Sequence, residues 1–202
     1  MKDQKEVWNA VASSWDTHRT EMWPSVLDFL KKAKGKVLDL GCGSGRNFML
    51  NPDQELYAVD FSPEMIKLAQ EDANFKGIDA KFFVANCYNL EFSQNFFDAI
   101  LCWSVLHCLE TEEKRRGTLQ EIYRVLTPGG KVLLSTWGRG SKRIKNKDKE
   151  SMVPWTVDGV KKYRYTYIYD LEELEKDLRE IGFVIEDIWE NQNINAILSK
   201  PE

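Results

Sequence analysis

The sequence predicts an α/β fold: a mostly parallel sheet that ends in an antiparallel hairpin, with helices on both faces. Three observations predict it. Short apolar runs alternate with stretches of helical periodicity from residue 36 onward. The first run breaks into a glycine-rich turn, Gly41-Cys42-Gly43-Ser44-Gly45. Near the C-terminus two strand-like runs are joined by the tight turn Glu190-Asn191-Gln192-Asn193.

A length of 202 residues suits a single domain. A net charge of −4 argues against coating nucleic acid wholesale but leaves room for a local basic patch. No apolar run approaches the roughly 20 residues of a membrane span. The first residues, Met1-Lys2-Asp3-Gln4-Lys5, carry no signal-peptide core, so no membrane association and a cytoplasmic location are expected. Cys42, Cys87, Cys102 and Cys108 match no paired C-x-x-C spacing. Buried free thiols, and no metal site, are the expectation.

Residues 3–15 read as an amphipathic helix on Val7, Trp8, Val11, Ala12 and Trp15, with a break at residues 17–20. Pro24 opens a second helix whose apolar face is Val26, Leu27, Phe29 and Leu30. Strands are expected at residues 36–40, 55–60, 80–85, 97–103 and 131–137, with helices at 63–74 and 112–126. Leu126-Thr127-Pro128-Gly129-Gly130 reads as a turn that launches the fifth strand. Residues 139–149 are basic and lack an apolar period, as in a mobile loop. A helix at residues 171–181, stopped by Gly182, precedes hairpin strands at 183–189 and 194–199.

The run Val37-Leu38-Asp39-Leu40 ends in small residues, so the chain turns tightly and a ligand can approach the main chain. A glycine turn without a ligand is the alternative. Asp60 ends the second strand about 20 residues past the glycines, where a carboxylate accepts hydrogen bonds from ribose hydroxyls. Ser62 suits the N-cap of the helix that follows.

Taken in order, the G-x-G-x-G turn, Asp60, Asn86, Trp103-Ser104 and L-x-P-G-G resemble the class I S-adenosylmethionine-dependent methyltransferases. The resemblance implies a Rossmann-like, seven-stranded fold, with S-adenosyl-L-methionine as cofactor and S-adenosyl-L-homocysteine as product. It implies cofactor contacts at Asp39, Gly41, Cys42, Gly43, Gly45, Asp60, Phe61, Ser62, Asn86, Cys87, Trp103 and Ser104. Asn86 departs from the usual Asp, although an amide oxygen still accepts from the adenine amine. Trp103 and Ser104 would lie under the methionine part, where an indole face attracts a sulfonium; plain core packing is the other reading of Trp103. The single domain (1–202) then divides into a helical cap (1–34), a cofactor-binding core (35–138), a basic and aromatic insertion (139–169) and a C-terminal helix and hairpin (170–202).

Several further segments resemble the tRNA methyltransferases that esterify a carboxymethyl group on the wobble uridine. They are Thr17-His18-Arg19, Trp23-Pro24-Ser25, the short connection from Arg46 to Asp53, Val105-Leu106-His107, Val153-Pro154-Trp155 and Tyr163-Arg164-Tyr165-Thr166-Tyr167. A carboxylate is already an anion near neutral pH, so it needs alignment and a holding partner rather than a strong base. Arg19 is the candidate clamp and His107 a second donor, a surface ion pair and a structural hydrogen bond being their bland alternatives. Lys142, Arg143 and Lys145 would meet phosphates, while Tyr163, Arg164 and Tyr165 would stack on bases of a tRNA anticodon stem-loop. The resemblance also implies a small zinc-binding activator subunit that pairs strands with the methyltransferase; the flat apolar Lys81-Phe82-Phe83-Val84 reads as an edge strand suited to such pairing, burial under the protein's own helices being the equal alternative. Two rivals differ in class: a small-molecule methyltransferase acting on a quinone precursor or metabolite carboxylate, and a cofactor-binding scaffold that activates another subunit.

Overall fold

The computed structural model describes residues 3–18, 21–140, 144 and 146–202. Two helices, α1 (Gln4–His18) and α2 (Pro24–Lys32), precede the sheet. Next come β1 (Gly35–Leu40), β2 (Gln54–Asp60), α3 (Pro63–Lys76), β3 (Ala80–Val84), β4 (Phe97–Trp103), a 3-10 turn (Leu106–Cys108), α4 (Glu112–Val125) and β5 (Leu126–Trp137). The remainder is β6 (Glu150–Val157), β7 (Val160–Tyr167), α5 (Leu171–Ile181), β8 (Val184–Glu190) and β9 (Asn193–Ser199).

Seven strands form one sheet in the order β3-β2-β1-β4-β5-β9-β8. The first five are parallel, and β9 and β8 complete it antiparallel, as the sequence predicts. The chain winds outward from β1 to β3 and then returns to the other side of β1 with β4. Open α/β sheets leave a crevice at the carboxyl ends of the strands where the winding reverses.

Alternation along each strand divides the core between the two faces. Leu38, Leu40, Tyr57, Val59, Ile100 and Val132 pack under Leu119 and Ile122 of α4 and Leu174 and Leu178 of α5. On the other face, Val37, Ala99, Leu101 and Leu133 meet Val26 and Leu30 of α2. Leu56 and Ala58 meet Ile66, Ala69 and Ala73 of α3 on that same face. The helix ends follow from local chemistry. Ser62 Oγ accepts from the Met65 N–H at 3.1 Å, and Gly77 ends α3 with φ +66°. Asp170 and Glu173 form a reciprocal capping box on α5.

Three expectations are corrected. Helix α1 extends past the expected residue 15 through Thr17 to His18, while Arg19 and Thr20 of the expected break lie outside the described residues. The L-T-P-G-G segment lies inside β5: Leu126 pairs with Phe97 and Lys131 with Ala99, so the intervening residues form a bulge within the strand. The insertion is a second, two-stranded sheet, β6-β7, turned at Asp158 and Gly159 with φ +48° and +75°. Two successive positive φ values are the signature of a type I′ hairpin, which Asp-Gly favours.

That hairpin is bound to α1. Arg164 places its guanidinium 5.3, 4.9 and 5.3 Å from the ring centres of Trp8, Trp15 and Trp155. Trp155 Nε1 donates to Ser14 Oγ at 3.1 Å, and the Tyr165 N–H donates to Gln4 Oε1 at 2.8 Å. A desolvated cation among three indoles is a strong tether. It fastens α1 over the carboxyl end of the sheet.

Candidate active site

A cavity of about 290 Å³ opens at the reversal point between β1 and β4, roofed by α1 through Gln4, Trp8 and Trp15. Its floor is the glycine turn. Gly41 and Cys42 both donate their N–H groups to Val59 O, at 2.7 and 3.0 Å, which ties the turn to β2. Gly43 has φ +55°, and a Cβ built there meets no atom within 4 Å. The main chain is therefore bare toward the cavity at Gly43.

Asp60 is buried behind that turn. Its Oδ2 accepts from the Gly43 N–H at 3.0 Å and its Oδ1 from the Ser62 N–H at 2.9 Å. Burial pushes its pKa up to about 6, against the pull of the N–H groups of Ser62, Gly43 and Phe61. Asp39 is buried one step further back in β1, where burial pushes it up to about 7 while the nearby Arg46 and Asn47 offset part of the rise. Neither Asp39 oxygen completes a well-aligned hydrogen bond with a described residue, and the same holds for Asn47 Oδ1, Arg46 Nε and Trp103 Nε1. Buried polar atoms rarely stay unmet, so their concentration around one cavity marks a site built for a polar ligand.

The end of β4 forms the opposite wall. Ser104 holds φ +67°, unusual for a residue with a Cβ, and donates its N–H to Ser135 O at 2.8 Å. This sharp exit sends the chain into the 3-10 turn. His107 lies there, buried and stacked on Trp137 with ring centres 4.7 Å apart and planes 12° apart. Trp137, the last residue of β5, lines the cavity without having been singled out in the sequence, as does Arg46 directly after the glycine turn.

Nine of the twelve expected cofactor residues line this cavity: Gly41, Cys42, Gly43, Asp60, Phe61, Asn86, Cys87, Trp103 and Ser104. Asp39, Gly45 and Ser62 stand just behind it: Asp39 is buried in β1, Gly45 closes the turn onto Cys42 O at 3.2 Å, and Ser62 caps α3. His107 also lines it. Tyr163, Arg164 and Tyr165 do not. Arg164 and Tyr165 are 4% exposed each, spent on the tether to α1, so this placement withdraws both from an RNA-facing role. Tyr163 remains 49% exposed. Arg19, Lys142, Arg143 and Lys145 lie outside the described residues. The four cysteines are free, and burial pushes Cys87 up to about 11, so the thiol stays protonated. Among the described residues no cluster of metal-ligating side chains occurs.

A family model described as "Methyltransferase domain" matches residues 37–130. That match covers a little under half of the chain, and together with the seven-stranded fold it makes the chain similar to class I, S-adenosylmethionine-dependent methyltransferase domains. Within that class the chain resembles the enzymes of wobble-uridine ester formation. It is 33% identical over 152 residues to a tRNA (carboxymethyluridine(34)-5-O)-methyltransferase of Arabidopsis thaliana, covering 74% of this chain and 35% of that protein. The chain thus spans about a third of the length of that curated relative. Its fold matches a Burkholderia thailandensis 1,6-didemethyltoxoflavin-N1-methyltransferase solved with S-adenosylhomocysteine, at TM-score 0.72 and 18% identity, over 98% of this chain and 87% of that one. It also matches a chain in a complex between the Haloferax volcanii Trm112 methyltransferase activator and a methyltransferase, at TM-score 0.70 and 16% identity, over the whole of both chains.

The residues present suit the methyl donor. When bound it supplies an electrophilic methyl group on a sulfonium. Asp60 would take the ribose hydroxyls, the bare main chain at Gly43 would admit the nucleoside, and Asp39, buried just behind the cavity, would act on the ammonium through its charge. This arrangement makes binding pH-dependent. Native Asp39 and Asp60 keep protons up to about 7 and about 6, whereas unfolded carboxylates lose them near 3.8. Ligand-free stability therefore falls as pH rises through that window. A bound ammonium favours the ionised Asp39. The affinity for S-adenosylhomocysteine is thus expected to rise between pH 5.5 and 8, by about tenfold per unit below the raised pKa. Calorimetry across that range checks it. A flat profile, or one that Asp39→Asn leaves unchanged, would show that the charge of Asp39 does not act on the ammonium.

Proposed function

We propose that the protein methylates the carboxymethyl group of a modified wobble uridine in tRNA, forming its ester. The observation that carries this reading is the aromatic wall of the cavity, where the buried His107 is stacked on Trp137 close to Ser104. An acceptor carboxylate requires no base to activate it, only donors that hold it in line with the sulfonium. A flat base stacks on such indole and imidazole surfaces. The similarity to tRNA carboxymethyluridine methyltransferases supports the choice of acceptor.

The basic segment at residues 139–149 and the exposed Tyr163 are the proposed tRNA contacts, with Arg19 as a proposed carboxylate donor. The activator also remains a proposal. Strand β3 is the edge of the sheet, and Phe83 and Val84 are 39% and 50% exposed on it. An open strand of this kind pairs readily with a partner's strand.

The test is methyl transfer from labelled S-adenosylmethionine into tRNA lacking the ester, with and without a candidate activator, followed by nucleoside mass spectrometry. The expected product is a base-labile methyl ester. His107→Asn is expected to lower kcat/KM by about ten- to hundredfold, the worth of one hydrogen bond to a charged group, with donor affinity unchanged. Label in a base-stable position, or only in small metabolites, would overturn the assignment.

A further inference from the structure

We propose that Arg46 is the group that holds a carboxylate inside the cavity. Arg46 follows Gly45 directly, and its backbone is fixed from both sides. The Gly45 N–H donates to Cys42 O at 3.2 Å and the Phe48 N–H to Gly45 O at 3.0 Å, with the Phe48 ring buried behind. The side chain is thereby held in the cavity wall. Its Nε is withdrawn from water and meets no acceptor, and no carboxylate lies within ion-pair distance of the guanidinium among the described residues. By contrast, Lys114 on the same wall is paired with Glu110 at 3.1 Å, and Lys76 nearby is paired with Asp72 at 2.7 Å.

A guanidinium carries five N–H donors in a planar fork and no acceptor. Arg46 is half-buried with its Nε unmet, so the face of the fork that reaches the cavity can present two parallel donors to a carboxylate. Asp39 is the nearest counter-charge, yet it forms no such pair. The unmet Arg46 Nε in the cavity wall and the unmet Asp39 carboxylate behind it interact through their charges without pairing, which suits a ligand presenting both an anion and a cation.

Two carboxylates enter this site under the reading above, on which the second depends: that of the donor's amino-acid end, and that of the acceptor's carboxymethyl group. Three ligands separate them in Arg46→Gln and Arg46→Lys. S-adenosylhomocysteine carries the donor carboxylate, 5′-methylthioadenosine lacks the amino-acid end, and the nucleoside 5-carboxymethyluridine carries the acceptor's. Calorimetry reads the first two on free protein and the third on protein saturated with S-adenosylhomocysteine. Loss of one bidentate pair is expected to weaken the affected ligand about ten- to hundredfold in the glutamine variant, with the lysine variant between it and the parent. A drop for S-adenosylhomocysteine with 5′-methylthioadenosine unchanged assigns Arg46 to the donor. A drop for 5-carboxymethyluridine alone assigns it to the acceptor. If the parent protein does not bind 5-carboxymethyluridine, the acceptor reading fails while the donor comparison still decides the role of Arg46. The inference is overturned if neither carboxylate ligand changes by more than twofold, or if 5′-methylthioadenosine weakens as much as S-adenosylhomocysteine. Melting temperatures of both variants, read without ligand, separate loss of binding from loss of fold.

Discussion

Asp60→Ala is expected to weaken S-adenosylhomocysteine binding by at least about a hundredfold while leaving the protein folded. An ionised carboxylate offers about four acceptor directions. Two are already taken by the N–H groups of Gly43 and Ser62, at 3.0 and 2.9 Å. Two remain for the vicinal hydroxyls of a ribose, and each hydrogen bond to a charged group is worth about 1.5–3 kcal/mol. The substitution also releases the Gly43 N–H, so the turn keeps its bonds from Gly41 and Cys42 to Val59 O but loses its third tie to β2. Asp60→Asn is not a mild alternative. An amide has one acceptor oxygen, and its NH2 group would face at least one backbone donor. Calorimetry with S-adenosylhomocysteine, beside circular dichroism for the fold, gives the answer. Retention of affinity within fivefold would mean that no ribose is held at Asp60, and the nucleoside reading of the cavity would fall with it.

The parts of this site that could be read in the sequence are those fixed by neighbours along the chain. Gly41 to Gly45 must turn where β1 ends, Asp60 must end β2, and Trp103 with Ser104 must end β4, because each lies at the edge of an apolar run. Their convergence follows from sheet order alone. The hairpin β6-β7 escaped for a physical reason. The first half of β7 is largely exposed and its second half buried on both faces, so Lys161, Lys162 and Tyr163 break the apolar alternation, and only Asp158-Gly159 marks the turn. The role of Arg164 was unreadable for another reason. Aromatic residues mixed with arginine have the same composition whether the cation meets its own protein's indoles or a nucleic-acid base. Its partners Trp8 and Trp15 lie in α1, at the other end of the chain. Arg46 and Trp137 had weak local signals, a cation after the third glycine and an aromatic at a strand end. Neither position specifies a ligand until the cavity is seen.

The two glycines of the turn are expected to fail in opposite ways, and that contrast tests the cradle directly. Gly41 has φ +74°, and an added Cβ would lie 2.3 Å from Val105 Cγ2. Gly41→Ala therefore combines the left-handed strain of about 1–2 kcal/mol with overpacking of about 1–3 kcal/mol. Together these lower the melting temperature by roughly 5–15 °C in a chain of this size. Gly43→Ala carries the conformational strain alone, because its Cβ would meet nothing within 4 Å. Its melting temperature is expected to fall by only a few degrees. Its ligand response should nevertheless be the worse of the two. The methyl group stands where the nucleoside meets the main chain, and Gly43→Val fills that space further. Thermal melting with and without S-adenosylhomocysteine reads both effects in one experiment: Gly41→Ala should melt early yet still be stabilised by ligand, whereas Gly43→Val should melt somewhat below Gly43→Ala, because a β-branched side chain is strained further at φ +55°, and gain nothing from ligand. A Gly43→Val protein stabilised as strongly as the parent would place the nucleoside elsewhere, since a bound ligand and a valine side chain cannot share the bare face of this turn.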